Sequence, residues 1–150
     1  RAAMYEHMLS PYDGADESEK GARHGLKLAA ELGSTVHGLY VIDLPGAPRA
    51  LSIRDDEESM REEYRAYGEE VLAELGEMAA DHGVDYVSGM RSGSPSESIV
   101  EFADEEGMYV IVMGAAFRGR LGNILGGTTN RVFQSADVPV ITQRMRVDEV

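Results

Sequence analysis

The stretch Met108-Tyr109-Val110-Ile111-Val112-Met113-Gly114, followed thirteen residues after its glycine by Gly127-Thr128-Thr129, decides the fold. A short apolar run ending in glycine reads as a buried parallel strand that stops where the backbone turns sharply. Gly-Thr-Thr opening an amphipathic run reads as a helix N-terminus with amide donors facing outward. Strand, glycine-bearing loop and helix start suit a phosphate, because amides and the positive end of the helix dipole converge on one spot.

The same alternation extends outward in both directions. Upstream, His7-Met8-Leu9-Ser10 reads as a strand closed by Pro11-Tyr12-Asp13-Gly14. A helix then begins at Ala15, with Ala22, Leu26, Ala29, Ala30 and Leu32 on one face and Gly33 ending it. Thr35 to Ile42 is a second strand, and Gly46 to about Ser52 a loop. From Arg54 to His82 runs the longest helix, whose stripe of Met60, Tyr64, Tyr67, Val71, Leu72, Leu75, Met78 and Ala79 reads as core. The acids Asp55-Asp56-Glu57-Glu58 read as a solvated first turn, since four adjacent side chains point around a helix instead of converging.

Val84 to Val87 gives a third strand. Ser94-Pro95-Ser96-Glu97 reads as a capping box, with Ile99, Val100, Phe102 and Ala103 buried behind it. Gly107 closes this helix, 108–113 is the fourth strand, and Val132, Phe133 and Ala136 line a fourth helix. Val138 to Thr142 is a fifth strand, placed at an edge by Pro139. The order β-α-β-α-β-α-β-α-β with right-handed crossovers predicts a doubly wound five-stranded parallel sheet, order 3-2-1-4-5, with helices on both faces. Residues 4–145 form one domain; 1–3 read as a remnant or clipped end and 146–150 as a tail.

Composition narrows the function. There are no cysteines, so disulfides and thiolate-held metals are excluded. No apolar run approaches the length of a membrane span and no signal-peptide pattern opens the chain, so a cytoplasmic protein is expected. Asp and Glu total 27 against 14 Lys and Arg, a net charge of -13, and only Lys20 and Lys27 are lysines. That field repels nucleic acid and anionic membranes, so neither is a partner. Acid excess with so little lysine is also the composition of halophilic proteins, in which concentrated salt screens self-repulsion. His7, His24, His37 and His82 are scattered and read as surface or packing histidines, with no metal site. No Ser-His-acid set and no complete phosphate-loop motif is present, so any ATPase activity is slow at most and a binding role is favoured.

In a 3-2-1-4-5 sheet, Asp13 and the Gly114–Thr129 segment face one crevice. An acid there can accept from ribose hydroxyls while amides at the far end hold phosphate. These residues resemble the universal stress protein family over essentially the whole chain, Met4 to about Thr142. The likeness rests on the opening strand into Pro11-Tyr12-Asp13-Gly14, on Leu28 to Gly33 and Val36 to Asp43, and on Val110 to Gly114 and Ala136 to Val140. The family's nucleotide binders carry Gly, two residues, Gly, nine residues, then Gly-Ser or Gly-Thr. Here Gly114 and Gly127-Thr128 fill the outer positions, and Phe117 stands at the second glycine.

The resemblance implies a small stress-response or signalling module that binds ATP, with Mg2+ arriving on the nucleotide. It implies Pro11 and Asp13 at the adenosine, the Val41 backbone at the adenine, and Gly114, Gly127, Thr128 and Thr129 around the phosphates. Arg118, next to the substituted position, would add a charged contact. With the exposed last strand, the resemblance also implies a homodimer through the C-terminal edge strand. Phenylalanine resists positive φ and blocks close backbone approach. Gly119 and Gly122 could re-route the loop around it. Two readings therefore stand: an adenine-nucleotide binder, and a family member that binds no nucleotide and acts through protein contacts.

Overall fold

The computed structural model describes residues 4–44, 54–118 and 124–145. The expected loop Gly46 to Ser52, Gly119, Gly122, and the segments 1–3 and 146–150 lie outside the described residues. In chain order the elements are β1 (His7–Pro11), α1 (Asp16–Leu32), β2 (Thr35–Ile42), α2 (Arg54–Asp81), β3 (Tyr86–Ser92), α3 (Pro95–Glu105), β4 (Val110–Arg118), β5 (Ile124–Leu125), α4 (Gly127–Ser135) and β6 (Val140–Met145).

The parallel strands lie in the order β3-β2-β1-β4-β6, the doubly wound 3-2-1-4-5 sheet once the short β5 is set aside. β5 adds two antiparallel pairs to the far end of β4, Phe117 opposite Leu125 and Arg118 opposite Ile124. Strand alternation divides the core into two layers. Met8, Val36, Tyr40, Val110 and Val112 pack beneath α1 and α2 with Leu26, Val71 and Leu75. Leu9, Leu39, Ile111 and Met113 pack beneath α3 and α4 with Ile99, Phe102 and Val132.

Local signals set the helix ends. Gly33 closes α1 at φ 71°, its amide donating to Ala29 O, as its position requires. Pro95 is the first residue of α3, but the Ser94 side chain makes no capping hydrogen bond, so the expected capping box is not formed through Ser94.

Other expectations shift for tertiary reasons. β3 begins at Tyr86 instead of Val84 because Val84 is buried under α2, where its amide closes the helix on Ala79 O. β4 begins at Val110 and runs four residues past Gly114, because β6 pairs with it through Ala116. Gly114 therefore lies inside a strand and not at its end. The α2 stripe is core only in part: Met60 and Tyr67 are exposed, and Phe133 on α4 is exposed too.

Candidate functional site

The first link β1–α1 and the later link β4–α4 leave the sheet at adjacent strands, which opens a crevice between them at the carboxyl ends. Its volume is about 240 Å³. Pro11, Tyr12 and Asp13 enter from the end of β1; Ala15, Glu17 and Ser18 from the start of α1; Leu39 and Val41 from β2. Pro95 and Ile99 of α3, Met113 and Gly114 of β4, and Thr128 and Thr129 of α4 complete the wall.

Asp13 is exposed at the mouth and held in place. Its Oδ1 accepts from the Ala15 amide at 2.9 Å and the Ser18 hydroxyl at 2.6 Å. Its carbonyl accepts from the Tyr67 hydroxyl at 3.0 Å, so α2 secures the turn from outside. Gly14, which follows, takes φ +83°, a conformation that L side chains resist. A carboxylate offers about four acceptor positions, so Asp13 keeps capacity for an incoming hydroxyl.

At the other end, α4 starts at Gly127 after Gly126, with no side chain capping it. The amides of Gly127, Thr128 and Thr129 belong to the first turn, which has no acceptor within its own helix. They give this end partial positive charge. The buried Thr129 hydroxyl donates to Gly114 O at 3.3 Å and locks α4 onto β4. Its side chain is a structural tie, and its amide is the group facing the crevice end of the helix.

Gly114 owes its lack of a side chain to packing. A Cβ built there would lie 2.7 Å from the Glu17 carbonyl carbon and closer still to the oxygen. The reciprocal position on α1, Gly21, would place a Cβ 2.5 Å from the Met113 carbonyl carbon. Two glycines thus let the first turns of α1 rest directly on β4, which brings Glu17 and Ser18 to the crevice wall.

Six of the eight residues singled out from sequence meet here: Pro11, Asp13, Val41, Gly114, Thr128 and Thr129. Gly127 is exposed at the head of α4 with open space around its Cα, and contributes backbone alone. Arg118 is the last residue of β4, paired through its backbone with Ile124. Sequence reading missed Tyr12, Ala15, Glu17, Ser18, Leu39, Pro95, Ile99 and Met113. Leu39 and Met113 were readable as inward positions by strand alternation; Glu17 and Ser18 had no such signal, because only the Gly21–Gly114 approach places them. The buried Tyr12 phenol is shifted upward, by burial first and then by the nearby Glu19 carboxylate.

Two of the four histidines pack against each other. His7 and His37, thirty positions apart, come together across β1 and β2, with His7 Nδ1 3.1 Å from His37 Nε2. Burial, then His7, lowers the His37 pKa below the ordinary histidine value.

Comparison with known proteins places this geometry in context. The sequence model of the universal stress protein family matches residues 4–144. A universal stress protein of Methanocaldococcus jannaschii is 34% identical over 142 residues, covering 92% of this chain and 81% of that protein. A solved structure of another M. jannaschii protein, MJ0577, superposes with a TM-score of 0.80 at 22% identity, covering 96% of this chain and 99% of its own. An Arabidopsis thaliana family protein solved with AMP bound gives a TM-score of 0.71 at 16% identity, covering 95% and 94%. An Archaeoglobus fulgidus universal stress protein in complex with dAMP gives 0.65 at 24%, covering 93% and 98%. At these identities the solved structures establish a shared fold.

Proposed function

The chain belongs to the universal stress protein family, and from that premise we propose that it binds an adenine nucleotide in the crevice between β1 and β4. One observation carries the reading: a held carboxylate, Asp13, and the uncapped start of α4 border a single crevice at the switch point of the sheet. The residues suit the two ends of such a ligand. Asp13 accepts from ribose hydroxyls beside Pro11, and the Val41 backbone meets the adenine. The amides of Gly127, Thr128 and Thr129 with Gly114 take the phosphates, and Arg118 adds charge from the end of β4. ATP with Mg2+ is the proposed form; the metal would neutralise phosphate charge and come with the nucleotide. Structures of related folds with AMP and dAMP support the ligand class.

The role is binding and signalling in place of turnover, in a cytoplasmic homodimer joined through β6. That strand pairs with β4 on one side, and among the described residues no other strand pairs with it. No helix among the described residues is long and apolar enough to cross a membrane.

Two features favour the competing reading, a family member that acts through protein contacts without nucleotide. Phe117 replaces the glycine of the family pattern, and an acidic residue, Glu17, lines the crevice. The deciding experiment is calorimetric titration with ATP, with and without Mg2+, together with chromatography of any adenine compound released on denaturing the purified protein. Asp13→Ala is expected to weaken binding by about tenfold, roughly 1.4 kcal/mol. No binding at about 1 mM ATP, an affinity floor near -4 kcal/mol, would overturn the proposal. If Phe117→Gly alone then restores binding, the protein-contact reading stands for the natural chain.

A further inference from the structure

The opposite end of the sheet carries a second group of chemistry-bearing side chains. His7 begins β1 and His37 lies near the start of β2. Leu9 stands opposite His37 in the ladder, and His7 opposite Thr35. Both histidines thus share the sheet face of Leu9 and Leu39 and are diagonal neighbours on it. Their ring centroids are 5.2 Å apart with planes at 67°, and both rings are half-buried. Tyr109, the residue before β4, stands edge-on to His7 at 6.0 Å, and its hydroxyl points at Glu6 Oε2, 3.5 Å away.

Two imidazole nitrogens at 3.1 Å must share something, either one proton or one cation, because two lone pairs or two protons in that gap repel. The distance also has metrical meaning. Nitrogen ligands sit ~2.0–2.1 Å from a zinc ion. Two such ligands are therefore ~2.9 Å apart at a right angle and ~3.3 Å apart at a tetrahedral angle. The observed separation falls between these values, so the two nitrogens are already spaced as a pair of chelating ligands would be. Acidic residues lie near the pair, one of them, Glu106, also held by Arg91 at 3.3 Å. Glu6 lies beside Tyr109, Glu106 acts on His37, and the chain carries a net charge of -13.

We propose that His7 Nδ1 and His37 Nε2 form a two-ligand site for a divalent transition-metal ion of the imidazole-seeking class, Cu2+, Ni2+ or Zn2+. Water completes the coordination shell, since no group of three or more His, Cys, Asp or Glu side chains converges on one point among the described residues. A site with two protein ligands and open positions binds reversibly and follows the Irving–Williams order, copper above nickel, and it discriminates against Mg2+, which prefers oxygen. It is separate from the nucleotide crevice and does not rest on nucleotide binding.

The test is calorimetric titration of the full chain with NiCl2 and ZnCl2, with MgCl2 as control. One Ni2+ per chain is expected. His7→Gln and His37→Gln should each weaken that binding by about tenfold or more, while His24→Gln leaves it unchanged. A measurement on the unaltered protein guards against misfolded variants: Cu2+ at substoichiometric levels should broaden the amide resonances of Leu9, Thr35 and Tyr109 before others. No Ni2+ binding up to about 1 mM, Ni2+ binding in either histidine variant as tight as in the parent, or broadening centred elsewhere would overturn the assignment.

Discussion

Replacing Gly21 by alanine pits two known effects against each other within one helix. Gly21 lies inside α1, where alanine is favoured by ~1 kcal/mol through helix propensity. Its new methyl, however, would sit 2.5 Å from the Met113 carbonyl carbon and closer to the Gly114 amide. Comfortable carbon–carbon contact is ~3.5–4.0 Å, so α1 must withdraw from β4 by about 1 Å. The obstruction is strand backbone, which cannot rotate aside. Overpacking of this kind costs ~1–3 kcal/mol, and more where the backbone is the obstacle.

We expect Gly21→Ala to be destabilising by roughly 2 kcal/mol net, which lowers Tm by about 4–8 °C in a chain of this length. Gly25, one turn further along α1, supplies the internal control. An alanine methyl there would meet Val112 Cγ1 at 3.4 Å and Met8 Sδ at 3.5 Å, nearly ordinary contacts. Gly25→Ala should therefore be neutral or stabilising by up to ~1 kcal/mol. The assay is paired thermal and urea denaturation in one buffer. If Gly21→Ala is as stable as the parent, or if both variants lose stability equally, the close α1–β4 approach does not explain these glycines.

Glu17→Gln should raise ATP affinity by roughly fivefold, about 1 kcal/mol, because a screened like charge leaves the crevice wall; calorimetry with adenosine as control checks it, and weaker Mg2+-ATP binding would refute it. The half-buried Tyr86 hydroxyl donates to Leu72 O at 2.8 Å, and burial raises its pKa above 10.0. Because the folded state holds the neutral phenol, its contribution is complete below the unfolded value and is lost as pH rises above about 10. Tyr86→Phe should cost ~1 kcal/mol near pH 8 and flatten the alkaline loss of stability; an unchanged alkaline slope in denaturant titrations would count against this. With a net charge of -13, Tm should climb between about 0.1 M and 2 M KCl as the screening length falls toward ~3 Å. A flat salt profile by calorimetry would argue against self-repulsion as a governing term.

Much of the architecture is legible in the sequence alone. The apolar run 110–113 and the alternation around it led to the parallel strand order that the structure shows. Periodicity reports burial on a face, and a doubly wound sheet buries both faces. Gly33 and Pro95 marked helix ends because their backbone chemistry is local.

The limits of that reading are equally physical. Strand ends depend on pairing partners, so β4 runs on past Gly114 to meet β6 and β5. Tyr67 and Met60 fit the helical stripe but are exposed; Tyr67 stands edge-on to Tyr40 and donates its hydroxyl to the Asp13 carbonyl, a contact that periodicity does not report.

By itself, then, the sequence determined the element order, the strand order, the family resemblance and the acidic field, all of which follow from local pattern and composition. Tertiary structure alone decided why Gly114 is glycine, that Glu17 and Ser18 reach the crevice, and that His7 meets His37. Each of these is a contact between segments far apart in the chain, and no local periodicity encodes how closely a helix will rest on a strand.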